Sequence, residues 1–93
     1  MESLEQGGDA RSRIRRFIRE TFLYMRPDFA LADDDRLMAK GVLDSMGAVE
    51  LIQFLEQGFS IKIRDEEITE ANLGSIAAIA AFIEARRHLR VSA

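Results

Sequence analysis

Apolar residues fall at Ile14, Phe17, Ile18, Phe22 and Met25, spacings of three and four that line one side of a helix. Arg15, Arg16 and Arg19 fall on the other side. Pro27 closes the pattern, because a proline pushes the residue before it out of the helical region. The stretch that follows, PDFALADDDRLMAKGVLD, sustains no period. A connection this long is uncommon in a compact domain and often functional. Phe29, Leu31, Leu37 and Leu43 are its candidate anchors to a core. Helical spacing resumes at Ser45 or Met46 and runs to Gly58, a suitable C-terminal glycine. Turning that helix by about 100° per residue gathers Ala48, Leu51, Ile52 and Leu55 on a core side, with Phe54 at its edge. Met46, Val49, Glu50, Gln53, Glu56 and Gln57 lie opposite.

Beyond Gly58, Phe59, Ile61 and Ile63 alternate as in a strand. No other run alternates well enough to pair with them, and a lone strand leaves backbone groups unsatisfied. An extended loop that drops three apolar side chains into a helical core is the better reading. DEEITEANL predicts a short third helix with acids in its first turn. Ser75 predicts the cap of a last helix with Ile76, Ile79, Phe82 and Ile83 inward and Arg86, Arg87 and Arg90 near its end. The sum is an all-α fold, a small four-helix bundle with a long loop between helices 1 and 2. Residues 1–10, polar and containing Gly7-Gly8, read as a flexible tail, with Asp9 as a cap for the first helix. Residues 11–90 read as the domain.

Composition narrows the chemistry. A chain of 93 residues with 47% hydrophobic content suits one small core. It holds no cysteine, which excludes disulfides and thiolate metal sites, so any thiol chemistry needs a thiol from outside. The single histidine, His88, has no second histidine to join it and reads as a surface residue. The start, MESLEQGGDA, lacks the charge and apolar core of a signal peptide. The longest apolar run, IAAIAAFI, is far short of the ~20 residues that span a bilayer. A soluble cytoplasmic monomer without membrane insertion is the expectation. The net charge of −3 conceals a segregation. The first helix is rich in arginine, whereas acids dominate from Pro27 to Ala85.

Ser45 then becomes the residue of interest. Serine is a favoured helix cap, yet the reciprocal capping box would need Glu or Gln where Ala48 stands. No adjacent base is apparent to activate it as a nucleophile. Met46 and Val49 are apolar positions on the outward face, set among acids and close to Ser45. That combination points to a hydroxyl modified by another enzyme, with a docking surface for a basic partner beside it.

The stretch KGVLDSMGAVELIQFLEQGFSIKIRDEEI resembles the centre of the acyl carrier protein family, and NLGSIAAIAAFIE is similar to its last helix. The shared positions include Gly41, Asp44, Ser45, Met46, Val49, Glu50, Leu51, Ile52, Leu55, Glu56, Phe59, Ile61 and Ile63. The resemblance implies a four-helix bundle and no catalysis by the chain itself. It implies that a phosphopantetheinyl transferase moves phosphopantetheine from coenzyme A onto Ser45. The arm would supply the thiol this chain lacks and hold acyl or aminoacyl groups for an activating enzyme and downstream transferases. Asp44, Met46, Val49, Glu50, Gln53 and Glu56 match positions the family uses for docking. Met46 stands where the family most often has Leu, and Gly58 where a charged or polar residue is usual. The arginine-dense first helix departs from the housekeeping fatty-acid carrier, and the form resembles stand-alone carriers of specialised pathways, including those that hold an amino acid. Gly58 also predicts that the second helix frays early.

The rival reading is an interaction module whose arginine-rich first helix, with Phe17, Phe22 and Tyr24, binds acidic partners, nucleic acid or membrane. Phe17 and Phe22 belong to the core stripe, so they are not free to stack on bases, and the acidic body repels phosphates. The carrier is therefore preferred, with no nucleic-acid partner.

Overall fold

The computed structural model describes the backbone of residues 10–92 and the side chains of residues 10–87. Asp9 and the side chains of His88 and Arg90 lie outside the described residues, as does the expected tail apart from Ala10. Four α-helices are present among the described residues: α1 Ala10–Phe22, α2 Ser45–Phe59, α3 Glu70–Leu73 and α4 Ile76–Ser92. A 3₁₀ turn at Asp65–Glu67 precedes α3, and no strand occurs among the described residues. Both α1 and α3 pack against α4.

The apolar stripes meet in one core. Ile14 and Ile18 of α1, Leu51 and Leu55 of α2, Ile76, Ile79 and Ile83 of α4, and Leu37 of the long loop are fully buried. Each such side chain contributes ~1.5–3 kcal/mol by leaving water, so this cluster holds the helices together. Phe17, Phe22, Phe54 and Phe82 are half-buried at its margin. The Phe17 ring stacks on Phe54 with centroids 4.1 Å apart, and Phe22 meets Phe17 edge-on at 5.8 Å.

α1 ends sooner than Pro27 alone requires. A helical Pro27 would clash with the carbonyl four residues back, that of Leu23. The chain leaves the helix after Phe22 and turns, with the Arg26 amide on the Leu23 carbonyl and the Phe29 amide on the Arg26 carbonyl. Met25, expected on the apolar stripe, therefore no longer follows it and is 76% exposed.

The arginines on the far side of α1 are more than a solvated face. Arg15 donates to the Leu31 carbonyl at 2.7 Å and to the Asp33 carboxylate, and Arg19 donates to the Phe29 carbonyl at 2.6 Å. Arg11 adds an ion pair to Asp33 at 3.3 Å. These guanidiniums satisfy backbone acceptors of a segment with no ladder of its own. The other edge of the loop is tied by the Leu37 amide to the Gly74 carbonyl and by the Ala77 amide to the Asp33 carbonyl. Leu31, Leu37 and Leu43 are buried and Phe29 is half-buried, as their spacing led us to expect, and Val42 joins them.

The end of α2 corrects a second expectation. The helix does not fray at Gly58 but continues through Phe59, and the left-handed residue that closes it is Ser60 at φ 56°. The Gly58 carbonyl accepts from Arg13 of α1 at 2.8 Å. Phe59, Ile61 and Ile63 are buried without strand pairing. The predicted third helix is split. Thr69 is extended and its hydroxyl accepts from the Asn72 amide, so it starts α3 afresh after the 3₁₀ turn. Ser75 caps α4 as expected, accepting from the Ala78 amide at 3.1 Å.

Candidate functional site

The segment before α2 is built one residue at a time. Gly41 takes φ +77°, a left-handed conformation that glycine adopts without steric cost, and turns the chain back towards α2. The Val42 amide bonds the Leu37 carbonyl at 2.9 Å, and Val42 and Leu43 seat in the core. Asp44 is extended and its Oδ1 accepts from the Gly47 amide at 2.8 Å. The cap of α2 is thus Asp44, not Ser45, which corrects the capping role considered for the serine. Ser45 is the first helical residue and is exposed. Its hydroxyl is spared from the task of ending the helix.

The six residues matched to a docking face separate into two groups. Met46 is 75% exposed and Val49 54%, and Glu50 and Gln53 are exposed beside them. Asp44 is exposed but occupied as the cap. Glu56 is half-buried, and its Oε2 accepts from the Ile63 amide at 2.9 Å while its carbonyl accepts from the Ile61 amide. Glu56 therefore anchors the extended segment after α2, a role that its angle on the helix did not announce. Asp44 and Glu56 are thus both tied to backbone amides of the fold.

Two exposed apolar residues were not singled out from the sequence. Met38 is 48% exposed and Ile68 43%. Both line a cleft of about 200 Å³ beside the start of α2, with Leu43, Ala48, Leu51, Ile52 and Leu73. Met38 lies in a stretch with no period and Ile68 in the break between the 3₁₀ turn and α3, so no repeat in the sequence marks them. Among the described residues no group of His, Cys, Asp or Glu could hold a metal ion. No helix among them is long and apolar enough to cross a membrane.

Residues 13–83 match the protein family described as the phosphopantetheine attachment site. D-alanyl carrier proteins of Streptococcus pyogenes serotype M5 (strain Manfredo), serotype M49 (strain NZ131) and serotype M1 are each 36% identical over 66 residues, 71% of this chain and 82% of theirs. The geometry fits the group. An arm attached through a serine oxygen needs an exposed hydroxyl that the fold does not use, and Ser45 is one. The phosphodiester of such an arm carries negative charge, which the amino end of α2 would favour. With that match and those relatives, the chain belongs to the phosphopantetheine-binding carrier family, whose covalently attached arm holds acyl or aminoacyl groups as thioesters.

Proposed function

We propose that Ser45 is the hydroxyl that receives phosphopantetheine, and that the cargo is an amino acid. The observation that carries the first part is the division of labour at the start of α2: Asp44 closes the helix and Ser45 stands exposed next to it. In the transfer, Ser45 Oγ forms a bond to the phosphorus next to pantetheine in coenzyme A. The pyrophosphate P–O bond breaks, adenosine 3′,5′-bisphosphate leaves, and the hydroxyl proton passes to a base on the transferase. The attached group then supplies the thiol that a cysteine-free chain lacks. This chain contributes the oxygen, the helix terminus that favours the phosphodiester, and the face of Met46, Val49, Glu50 and Gln53 on which partners seat.

The second part rests on the relatives, which are named as carriers of D-alanine. A carrier of this kind needs an activating enzyme that spends ATP to form the aminoacyl thioester, and a transferase that removes it. On this reading the chain is a substrate for enzymes rather than a catalyst, and it acts as a monomer in the cytoplasm, where coenzyme A and ATP are available. The arginines of α1 do not favour the rival reading, because Arg13, Arg15 and Arg19 are engaged by carbonyls of the chain itself.

The test is coexpression with a broad-specificity phosphopantetheinyl transferase, followed by intact mass and peptide mapping. One added phosphopantetheine on the peptide holding Ser45, absent from Ser45→Ala, is the expected result. Modification of Ser45→Ala to the same extent would overturn the assignment. Loading of the purified holo-protein by an amino-acid-activating enzyme, and not by a fatty-acyl-activating one, supports the aminoacyl cargo. The reverse rejects it.

A further inference from the structure

Gly47 has no conformational reason to be glycine. It sits in the first turn of α2 without a positive φ, whereas Gly41 alone among the described glycines has one. Alanine is the better helix former at such a place. The explanation lies in what surrounds it. Gly47 is buried, and a Cβ there would meet Phe22 Cε1 at 3.0 Å, Asp44 Oδ1 at 3.3 Å and Leu43 Cδ2 at 3.3 Å. Phe22 lacks full freedom to retreat, since it meets Phe17 edge-on and Phe17 is stacked on Phe54. The first turn of α2 therefore rests on a buttressed aromatic ring from α1, at the residue whose amide donates to the Asp44 carboxylate.

We propose that Gly47 is a positioning residue for the modification of Ser45: its missing side chain lets the first turn of α2 settle on Phe22, and that seat sets the direction of the Ser45 hydroxyl. The proposal rests on Ser45 being the attachment site. A methyl group at position 47 needs a few tenths of an ångström from Phe22, Asp44 or Leu43, and with the Phe22 ring held against Phe17 the turn of α2 is what gives. That displacement reorients Ser45, two residues away. Val49, Glu50 and Gln53 lie further along the helix and keep their places. The hydroxyl is thereby misaligned relative to a docking face that is itself unchanged, so turnover suffers and binding does not.

The test uses the full chain, a phosphopantetheinyl transferase and coenzyme A, with kcat and KM for the carrier measured for wild type, Gly47→Ala, Phe22→Leu and the double variant. Gly47→Ala should lower kcat about tenfold while KM stays within about twofold. The double variant, in which the shorter Leu side chain leaves room for the methyl, should recover most of that loss. A wild-type kcat in Gly47→Ala, a rise in KM alone, or a loss that the double variant does not relieve would overturn the proposal. So would a lowered melting temperature with unchanged kcat well below it, the signature of a purely structural glycine. Should Gly47→Ala fail to fold, the double variant decides, and a tenfold loss there rejects the idea. Ser45→Ala in the same assay tests the attachment site separately: its modification would reject that site whatever the Gly47 variants do.

Discussion

Replacing Asp44 by alanine removes the oxygen that accepts the Gly47 amide. Losing a helix cap costs ~1 kcal/mol, which for a domain of this size lowers the melting temperature by about 4–8 °C. Asp44→Asn retains a capping oxygen and loses only the charge, so it should melt near wild type. Thermal melts of both variants check this, and equal destabilisation would show that charge, not capping, is what Asp44 supplies to the fold. Ser45→Ala should stay within ~0.5 kcal/mol of wild type, the usual range for a surface change, because the serine does not cap. The sequence could not settle which residue takes this role. Asp and Ser are both favoured caps, they are adjacent, and a shift of one residue in the helix start exchanges them. Glu56 shows a different limit. Helical angle placed it outward, but its carboxylate reaches the Ile63 amide in an irregular segment whose path no period foretells.

At the level of elements, α1 and the long loop act as one unit. Changing Arg15 and Arg19 together to Gln removes donors to the Leu31 and Phe29 carbonyls and to the Asp33 carboxylate. Hydrogen bonds from charged groups contribute ~1.5–3 kcal/mol each when well shielded, and the partial exposure of these side chains argues for a smaller total, ~1–3 kcal/mol. Urea unfolding should register that loss, and amide exchange should quicken in the loop while α1 stays helical. Arg16→Gln is the control, since Arg16 is exposed, and it should change stability by less than ~0.5 kcal/mol. The arginines were visible in the sequence, but their acceptors were not, because backbone carbonyls carry no residue code. The three long helices and their buried faces were legible, since Ile14, Ile18, Leu51, Leu55, Ile76, Ile79 and Ile83 repeat at helical spacing, whereas the expected third helix is split and α3 spans Glu70–Leu73 alone. α2 offers the complementary case of an outward face. Glu50→Lys should leave the melt near wild type yet slow transfer onto the carrier at low salt, because complementary charge speeds encounter. Raising the ionic strength screens exposed charges beyond ~8–10 Å, so the gap to wild type should narrow across a salt series of transfer rates. Val49→Ala should show a defect that salt hardly changes.

Across the whole molecule, two carboxylates sit below their ordinary range of ionisation. The hydrogen bond from Arg15, aided by the charges of Arg15 and Arg11, holds the Asp33 carboxyl below its ordinary value despite some desolvation. The backbone hydrogen bond from Arg64, with the charges of Arg86 and Arg64, does the same for Glu67. A carboxyl whose folded value lies below its unfolded one stabilises the fold at neutral pH and loses that contribution as pH falls. Stability measured by urea unfolding should therefore decline progressively below about pH 5. Asp33→Asn should be less stable at pH 7 and show a shallower acid decline, and an unaltered slope would mean that Asp33 is not one of the groups responsible. The pairing of α1 with α4 has a consequence for synthesis. Ribosomes add ~5–20 residues per second, and α1 emerges before α4, which packs against it. Ile14 and Ile18 cannot complete their burial until Ile76, Ile79 and Ile83 of the same core have been translated. A chain cut after Leu73 should bind an apolar dye that the chain carrying α4 excludes, so closure of this core is set by the arrival of α4 rather than by the growth of α1.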